Sequence, residues 1–442
     1  MAKQRKIQDY DWLYSFLRHY VDAMVKLSYR DIRFEGRDRI PKDGAIIYAP
    51  NHTGTLMDAM VLLAMDRSPK VFVARADIFK NPKIAKILTF LKIMPIMRMR
   101  DGIDEVKRNN ETIERAVDVL RDRIPFCIFP EGMHQTKFST LPLSKGIFRI
   151  AFQAQELMPD TPLYIVPVGI RYGNFFRFRS TVRVQIGEPI DVRKFIAARS
   201  DMHSQEQMND IRQLLEERMR ESIFYIPNDE DYEATYEICG AVVSQQLKLI
   251  RERRKAMKLR GLNAYFTANN LTVKQVQDMK QSDPERAKRL LDLGREAIAM
   301  RTSENISLKS VAMLRPILSR ILKSLIFIIC LPYILLTTLF NLPLILVCKF
   351  LTGKFKDSAF HNSVRYLVNL VMWPILMILY AIIAYIALPW LTALILTLLI
   401  LPSPIIVDES YRLVRLMVSD TKLWRNKILR QKYAQIRDLM FK

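Results

Sequence analysis

Cysteine and histidine are both scarce in this chain of 442 residues. The four cysteines, Cys127, Cys239, Cys330 and Cys348, lie far apart and form no CxxC pair. That spacing carries neither a zinc signature nor a disulfide framework, and it suits a reduced, cytosol-facing protein. The five histidines are dispersed, with no HxH or HExxH. A metallohydrolase is therefore disfavoured and no metal site is expected. Acidic residues are outnumbered: 68 Lys and Arg face 45 Asp and Glu, a formal net charge of +23. Such an excess calls for an anionic partner, either nucleic acid or an anionic membrane surface. No zinc finger, RNP motif or helix-turn-helix stands out, which argues against nucleic acid. The opening stretch MAKQRKIQDYDW lacks a signal-peptide core, and no repeat or low-complexity tract is present.

Long apolar runs, by contrast, are present. Leu325 to Cys348 and Tyr366 to Val407 carry no charge. A bilayer core needs about 20 apolar residues as helix, so the first run can cross once. The second is long enough for two helices, with a break expected near Ala387-Leu388-Pro389. Lysines and arginines flank both runs: Lys309, Arg315, Arg320 and Lys323 before, Lys349, Lys354, Lys356 and Arg365 between, and a basic tail after Ser410. The positive-inside rule places all three flanks in the cytoplasm. Two simple crossings break that rule at the middle flank. Two hairpins or re-entrant elements satisfy it, and Pro332, Pro343, Pro374 and Pro389 make breaks feasible. The basic excess beside these runs then has a membrane surface to act on.

Residues 10–27 repeat Trp12-Leu13, Phe16-Leu17, Tyr20-Val21, Met24 and Leu27 at helical spacing. The apolar face of this amphipathic helix packs either on its own domain or on a membrane interface. From Gly44, short β-rich runs recur: AIIYA (45–49), KVFVA (70–74), IMPIM (93–97), FCIF (126–129), YIVPV (164–168) and TVRVQIG (181–187). Helical patterns separate the first five, at Leu56 to Met65, Pro82 to Leu91, Asp104 to Leu120 and Ile147 to Leu157. The alternation predicts an α/β domain with a largely parallel sheet flanked by helices. In such sheets chemistry collects at strand C-termini, and His52, Arg98, Glu131 and Val168-Gly169 each follow or end a predicted strand. After about Ser204 the pattern is helical and charged, read as solvated helices linking the domain to the membrane, with a lid or partner surface as the alternative. The expected organisation is an N-terminal helix (1–30), a catalytic α/β domain (31–230), a helical linker or arm (231–310), C-terminal membrane helices (311–408) and a basic tail (409–442).

The stretch YAPNHTGTLMDAMVLL (48–63) holds His52 and Asp58. Positions six apart on a continuous helix are rotated by about 240° and share no face. The two side chains meet only if His52 lies in a loop before the helix. Gly54 permits a tight turn there, and Thr53 or Thr55 can cap the helix. Asp58 then falls near the first turn, where the helix dipole favours a carboxylate. It would accept a hydrogen bond from one imidazole nitrogen and leave the other to take a proton from an alcohol. FPEGMHQTKFSTLPLSKG (129–146) adds Glu131, His134 and Lys137 from a punctuated loop. KIMPIMRMRDG (92–102) adds Arg98 and Arg100. YIVPVGIRYG (164–173) adds Arg171 and holds Pro167, a residue unusual in a central strand. Basic groups and loop amides around a His-Asp pair suit a phosphate-bearing alcohol.

These blocks resemble the glycerolipid acyltransferase superfamily, the glycerol-3-phosphate and lysophosphatidate acyltransferases. Its pattern is an N-H-x4-D block, a strand ending in Arg, an F-P-E-G block and a V-P-V/I block. Here those are Asn51-His52 with Asp58, Arg98, Phe129-Pro130-Glu131-Gly132 and Val166-Pro167-Val168, with Pro142 and Gly146 matching the P-x-x-x-G that usually follows F-P-E-G. The likeness covers roughly residues 30–230. The chain departs from the pattern in three places. Five residues rather than four separate His52 and Asp58. His134 stands where many members have Arg, and Lys92 stands where a glycine is usual. The longer spacing resembles a branch that includes glycerol-3-phosphate/dihydroxyacetone-phosphate acyltransferases.

The resemblance implies acyl transfer from acyl-CoA or acyl carrier protein to a hydroxyl of glycerol 3-phosphate or 1-acylglycerol 3-phosphate, with no cofactor. His52 and Asp58 would be catalytic. Arg98, Arg100, Glu131, Gly132, His134 and Lys137 would bind substrate. Asn51, Phe129, Pro130, Val166, Pro167 and Val168 would shape the site, with backbone amides after Val168 or near Gly132 as oxyanion donors. Partners are membrane lipids and the acyl donor, with no nucleic acid. The expected location is integral to a membrane, the catalytic domain on the cytoplasmic face, in a bacterial inner membrane or the endoplasmic reticulum. Two other readings stand beside this one: a different lipid acceptor, such as a lysophospholipid or aminolipid, and a non-catalytic lipid-binding scaffold.

Overall fold

The β-rich runs after Gly44 form one sheet in a computed structural model, which describes residues 6–96, 105–253, 261–313 and 316–441. The chain divides into two units: Met1–Ile223 with Phe355–Tyr366, and Phe224–Lys354 with Leu367–Lys442. The first unit runs α1 (Trp12–Ser28), β1 (Tyr29–Glu35), β2 (Ala45–Pro50), α2 (Leu56–Leu63), β3 (Val71–Arg75), α3 (Pro82–Phe90), β4 (Ile93–Ile96), α4 (Glu105–Arg121) and β5 (Phe126–Cys127). It continues with α5 (Gly146–Leu157), β6 (Leu163–Tyr172), β7 (Ser180–Ile186), β8 (Ile190–Asp191), α6 (Val192–Ala197) and α7 (Ser204–Ser222).

Among the described residues the sheet has eight strands in the order β1-β7-β6-β2-β5-β3-β4, with β8 beside β6. The β6-β2-β5-β3-β4 run is parallel throughout, and β1 pairs β7 in parallel. Only the β6–β7 and β6–β8 pairings are antiparallel. The expected α/β architecture with a largely parallel sheet is therefore what the chain adopts. β1 carried no apolar run to announce it. Its sequence, YRDIRFE, alternates charge with apolar groups, as suits a strand at the sheet edge.

The core lies between the sheet and the helices on it. Ile47, Phe126, Ile128, Leu163 and Ile165 meet Val117 and Leu120 of α4, Ile147, Phe148 and Ala151 of α5, and Ile211, Leu215 and Met219 of α7. All are at most 4% exposed, so each isoleucine, leucine or phenylalanine contributes roughly 1.5–3 kcal/mol by transfer from water. Pro167 sits inside the central strand β6, contrary to the usual bias, and the register explains how. Its carbonyl accepts from Gly187 N, so its backbone edge faces away from β2. That edge falls between the β8 pairing at Tyr164–Ile165 and the β7 pairing from Val168, where no ladder donor is needed.

α1 is held by its polar side. Arg18 is 6% exposed, pairs with Asp22 at 2.8 Å and donates to the carbonyls of Leu63 and Asp66. Trp12, Leu13, Phe16, Leu17, Tyr20 and Leu27 point outward, Trp12 and Phe16 about 70% exposed. Of the two packings open to this helix, the apolar stripe does not lie on its own unit.

The second unit holds α8 (Tyr232–Arg253), α9 (Gly261–Ser282), α10 (Pro284–Ser303), α11 (Leu308–Ala312), α12 (Ile317–Gly353), most of α13 (Phe360–Ala387), α14 (Trp390–Ile400), α15 (Ser403–Arg425) and α16 (Lys427–Phe441). The stretches expected as a solvated arm and a basic tail differ from that reading. Ala234, Ile238 and Val242 of α8 and Leu290 and Ala297 of α10 share one core with Leu423 of α15 and Leu429, Tyr433 and Ile436 of α16. Each helix has a narrow apolar stripe within a heavily charged sequence, and pairing the stripes buries them. Inside this core Arg301 forks onto Glu237 at 2.7–3.0 Å and Tyr433 donates to Glu237 at 2.6 Å.

α12 and α13 are long and apolar enough to cross a membrane, and α14 with α15, bent by 45° at their break, form a third such element at most. Only 11% and 17% of the most apolar windows of α12 and α13 are buried, so lipid is the natural cover for their leucines and isoleucines. The helices run through Pro332, Pro343 and Pro374 without ending. The break falls at Leu388-Pro389, between α13 and α14.

Candidate active site

Three neighbouring strands, β6, β2 and β5, deliver their C-terminal ends to one place. β2 ends at Pro50 and the chain turns through Asn51, His52, Thr53 and Gly54 into α2. The Asn51 amide locks this exit. Its Nδ2 donates to Ile170 O at 3.1 Å and its Oδ1 accepts from Ile170 N at 2.6 Å. His52 is thereby set in the loop ahead of α2, with its side chain 20% exposed.

His52 Nδ1 lies 2.8 Å from Asp58 Oδ2. The five-residue spacing brings the pair together because Asp58 sits in the first turn of α2 and reaches back over the loop. The same Oδ2 accepts the amides of Thr53 (2.8 Å) and Gly54 (2.7 Å), and Oδ1 accepts the Tyr172 hydroxyl at 2.7 Å. Four donors surround a fully buried carboxylate, which meets the requirement that a buried charge be hydrogen-bonded. Burial, and then the Asp58 charge, push the Tyr172 phenol well above its ordinary range. Tyr172 therefore stays a neutral donor.

The tight approach falls at Gly54, where a Cβ would stand 2.8 Å from the Tyr172 ring and 2.9 Å from Asp58 Oδ1. The backbone strain falls one residue later. Thr55 has φ +52 and ψ −123, a rare conformation for a β-branched residue, costing on the order of 1–3 kcal/mol. Neither threonine caps α2 with its side chain. The Thr55 hydroxyl instead bonds Ser363 Oγ at 2.7 Å and Ala359 O at 3.4 Å.

The loop after β5 closes over the histidine. Phe129 stacks on the imidazole at 4.2 Å between centroids. Glu131 Oε2 accepts the His52 amide at 3.4 Å, and His52 O accepts Gln135 N at 3.0 Å. Pro130 O accepts Ser144 N. Gly132 turns with φ +66 and donates its amide to Phe129 O. That amide is engaged within the turn. Glu131 is 6% exposed, and burial raises its carboxyl to about 8. Its Oε1 has no hydrogen-bond partner among the described residues, a polar atom that an incoming hydroxyl would satisfy. His134 stands edge-on to His52 at 5.8 Å, and Lys137 lies half-buried on the same loop.

Val166 and Val168 are fully buried in the ladder between β2 and β6, with Pro167 between them. Arg98 and Arg100 lie outside the described residues. Lys92, where a glycine is usual, has φ +59 just after α3, a left-handed position that glycine favours. Its ammonium accounts for the lysine: it donates to Ile7 O and Asp9 O at 2.8 Å and ties down the chain leading to α1.

Tyr172 and the 355–366 segment were not anticipated as site residues. Tyr172 closes the YIVPVGIRYG block, so its place at a strand end was a usable signal. No signal in the sequence connects Asp357, Phe360 or Ser363 to His52, because they arrive through chain folding alone.

Comparison with known proteins agrees with the geometry. A family model described as Acyltransferase matches residues 31–171. Two proteins of Saccharomyces cerevisiae align with part of the chain. Glycerol-3-phosphate O-acyltransferase 1 is 36% identical over 72 residues, covering 16% of this chain and 10% of the relative. Glycerol-3-phosphate O-acyltransferase 2 is 34% identical over 84 residues, covering 19% and 11%. The aligned stretches thus span about a tenth of the length of these relatives. A solved structure, the 1-acyl-sn-glycerophosphate acyltransferase PlsC of Thermotoga maritima, matches with TM-score 0.35 and 22% identity, over 47% of this chain and 78% of that one. The family-model match and the motif blocks in order thus fall on the same segment, and the likeness supports the glycerolipid acyltransferase superfamily for residues 31–171.

Proposed function

We propose that the protein is a membrane-bound O-acyltransferase that moves a fatty acyl group from a thioester, acyl-CoA or acyl carrier protein, to a hydroxyl of glycerol 3-phosphate or 1-acylglycerol 3-phosphate. The observation that carries this reading is the His52 Nδ1–Asp58 Oδ2 hydrogen bond of 2.8 Å, with Asp58 itself held by three further donors. Asp58 keeps the proton on Nδ1 and leaves Nε2 as the basic nitrogen. Nε2 takes the proton of the acceptor hydroxyl as its oxygen attacks the thioester carbonyl. The new C–O bond forms, the C–S bond breaks, and the departing thiolate takes the proton from the imidazolium. General-base assistance of this kind is worth roughly 10²–10⁴ in rate.

The membrane side of the reading rests on α12, α13 and the outward apolar face of α1. α3 adds Ile84 and Ile87, both exposed, on a helix that also carries Lys83 and Lys86. Tyr14 of α1 touches Phe90 of α3 edge-on at 6.2 Å, so the two helices adjoin, and between them they expose aromatic, aliphatic and cationic groups of the kind an anionic lipid interface takes.

The test is acyl transfer by the purified full chain, with both donors and both acceptors and product identification. Wild type transfers the acyl group and His52→Ala loses at least about 10²-fold. Equal rates for the two proteins would remove the reading. A product formed only with a lysophospholipid or an aminolipid would move the acceptor to another lipid and leave the reaction in place.

A further inference from the structure

The segment between the two membrane helices belongs to the catalytic unit. Residues Phe355–Tyr366, flanked in sequence by α12 and the apolar part of α13, cluster with the sheet and not with the helices they join. Asp357 Oδ2 lies 2.7 Å from His134 Nε2. Phe360 packs edge-on against the same imidazole at 5.3 Å and is itself stacked by Phe355 at 5.4 Å. Ser363 Oγ and Ala359 O hold the hydroxyl of Thr55, the strained residue between His52 and Asp58. Tyr366 donates to Val21 O of α1 at 3.4 Å. Two separate features of the site, the second histidine and the loop that joins the catalytic pair, are thus fastened by one short stretch more than 200 residues downstream.

Accepting the acyl-transfer reading above, we propose that this inter-helix segment is a wall of the acyl-transfer site, and that Asp357 is a positioning residue that fixes His134 as a ligand for the anionic phosphomonoester of the acceptor. The Ala359 amide and then the His134 imidazole hold Asp357 below the ordinary carboxylate range, so it is an anion that accepts the Nε2 proton of His134. In the imidazolium form, paired with that carboxylate, the ring keeps Nδ1–H as the donor for a phosphate oxygen. The ring stands 5.8 Å from His52, one small substituent away from the hydroxyl that His52 deprotonates. An acceptor whose phosphate meets His134 presents its alcohol to His52, which is the orientation the reaction needs. That orientation suits a lipid headgroup and a soluble phosphomonoester alike.

The experiment uses the purified full chain with glycerol 3-phosphate and 1-acylglycerol 3-phosphate as the soluble and lipid phosphomonoesters, and monoacylglycerol as the uncharged comparison. Asp357→Asn is expected to raise KM for the phosphorylated acceptor about tenfold, with kcat moving less than KM and KM for the thioester unmoved, as loss of one charge-assisted contact implies. Preference for phosphorylated over uncharged acceptor falls by the same factor, and Asp357→Glu restores part of it. The arm that shows the larger rise, soluble or lipid, identifies the source of the phosphate. Equal losses with charged and uncharged acceptors, or a change confined to the thioester, would overturn the proposal. A second measurement needs no turnover: binding of each phosphomonoester to the His52→Ala protein, with and without Asp357→Asn. Tenfold weaker binding supports the proposal even if wild type transfers no acyl group, in which case the acyl-transfer reading fails by itself. Binding that ignores Asp357 sinks the positioning role whatever the transfer rate.

Discussion

Tyr172 and Asp58 stand 114 residues apart in sequence and 2.7 Å apart in space, the phenol donating to Oδ1 at the end of β6. Both side chains are essentially inaccessible to water. Hydrogen bonds to a charged group contribute roughly 1.5–3 kcal/mol, so this contact governs how firmly Asp58 orients the imidazole. Tyr172→Phe is expected to lower kcat about tenfold with little change in KM, and Asp58→Asn to lower it by the full 10²–10⁴ of general-base help. Steady-state acyl transfer checks both. A Tyr172→Phe protein as active as wild type would show that the backbone amides of Thr53 and Gly54 suffice.

Glu131 gives a pH dependence to stability. Its carboxyl is raised from 4.5 to about 8 by burial, so the folded state keeps it protonated while the unfolded chain ionises. Stability from this group is full below about 4.5 and is lost as pH rises from there toward 8, by about 1.4 kcal/mol per unit. Glu131→Gln removes that loss. The difference in thermal midpoint between mutant and wild type should therefore grow in the mutant's favour from pH 5 to pH 8. A constant difference across that range would mean that Glu131 is ionised in the fold.

The outward face of α1 predicts contact with acyl chains. Trp12 is 70% exposed beside Phe16, and only three other tryptophans, Trp373, Trp390 and Trp424, complicate its signal. With those three replaced by phenylalanine, Trp12 fluorescence in reconstituted vesicles should be quenched by brominated lipid chains. Phe16→Glu should weaken the quenching, since a charge on that face must stay in water. Trp12 emission typical of water and untouched by the bromines would leave the stripe without a lipid contact.

Within the helical unit, Glu237 is 1% exposed and depends on Arg301 and Tyr433. Glu237→Ala leaves a half-buried guanidinium without its partner and is expected to destabilise by about 3–5 kcal/mol. Tyr433→Phe, which removes one hydrogen bond and leaves the ion pair, should cost about 1.5–3 kcal/mol. Chemical denaturation followed through this unit distinguishes the two. Similar small effects for both would place the stability of the bundle in its apolar contacts alone.

Much of the catalytic unit was legible in advance because its information is local. Alternating β-rich and 3.6-period segments placed β2 to β7 and α2 to α5 within a few residues, and the loop position of His52 followed from helix geometry, since six residues on one helix cannot bring two side chains together. β1 was not legible, because an edge strand with alternating charge has no apolar run. The charged stretches at 231–310 and 409–442 read as solvated because each stripe is apolar only once every three or four residues. Whether such a stripe is buried depends on a second stripe elsewhere in the chain, and for α8 and α16 the two are about 200 residues apart.

The sequence by itself determined the periodicities, the apolar runs, the break at Pro389 and the order of the motif blocks, all of which are properties of neighbours along the chain. Tertiary structure alone decided that Tyr172 reaches Asp58, that Asp357 and Ser363 return from beyond α12 to His134 and Thr55, and that the stripe of α1 faces outward. Those contacts depend on strand register and on which surfaces exclude water together, and neither is written in any one segment.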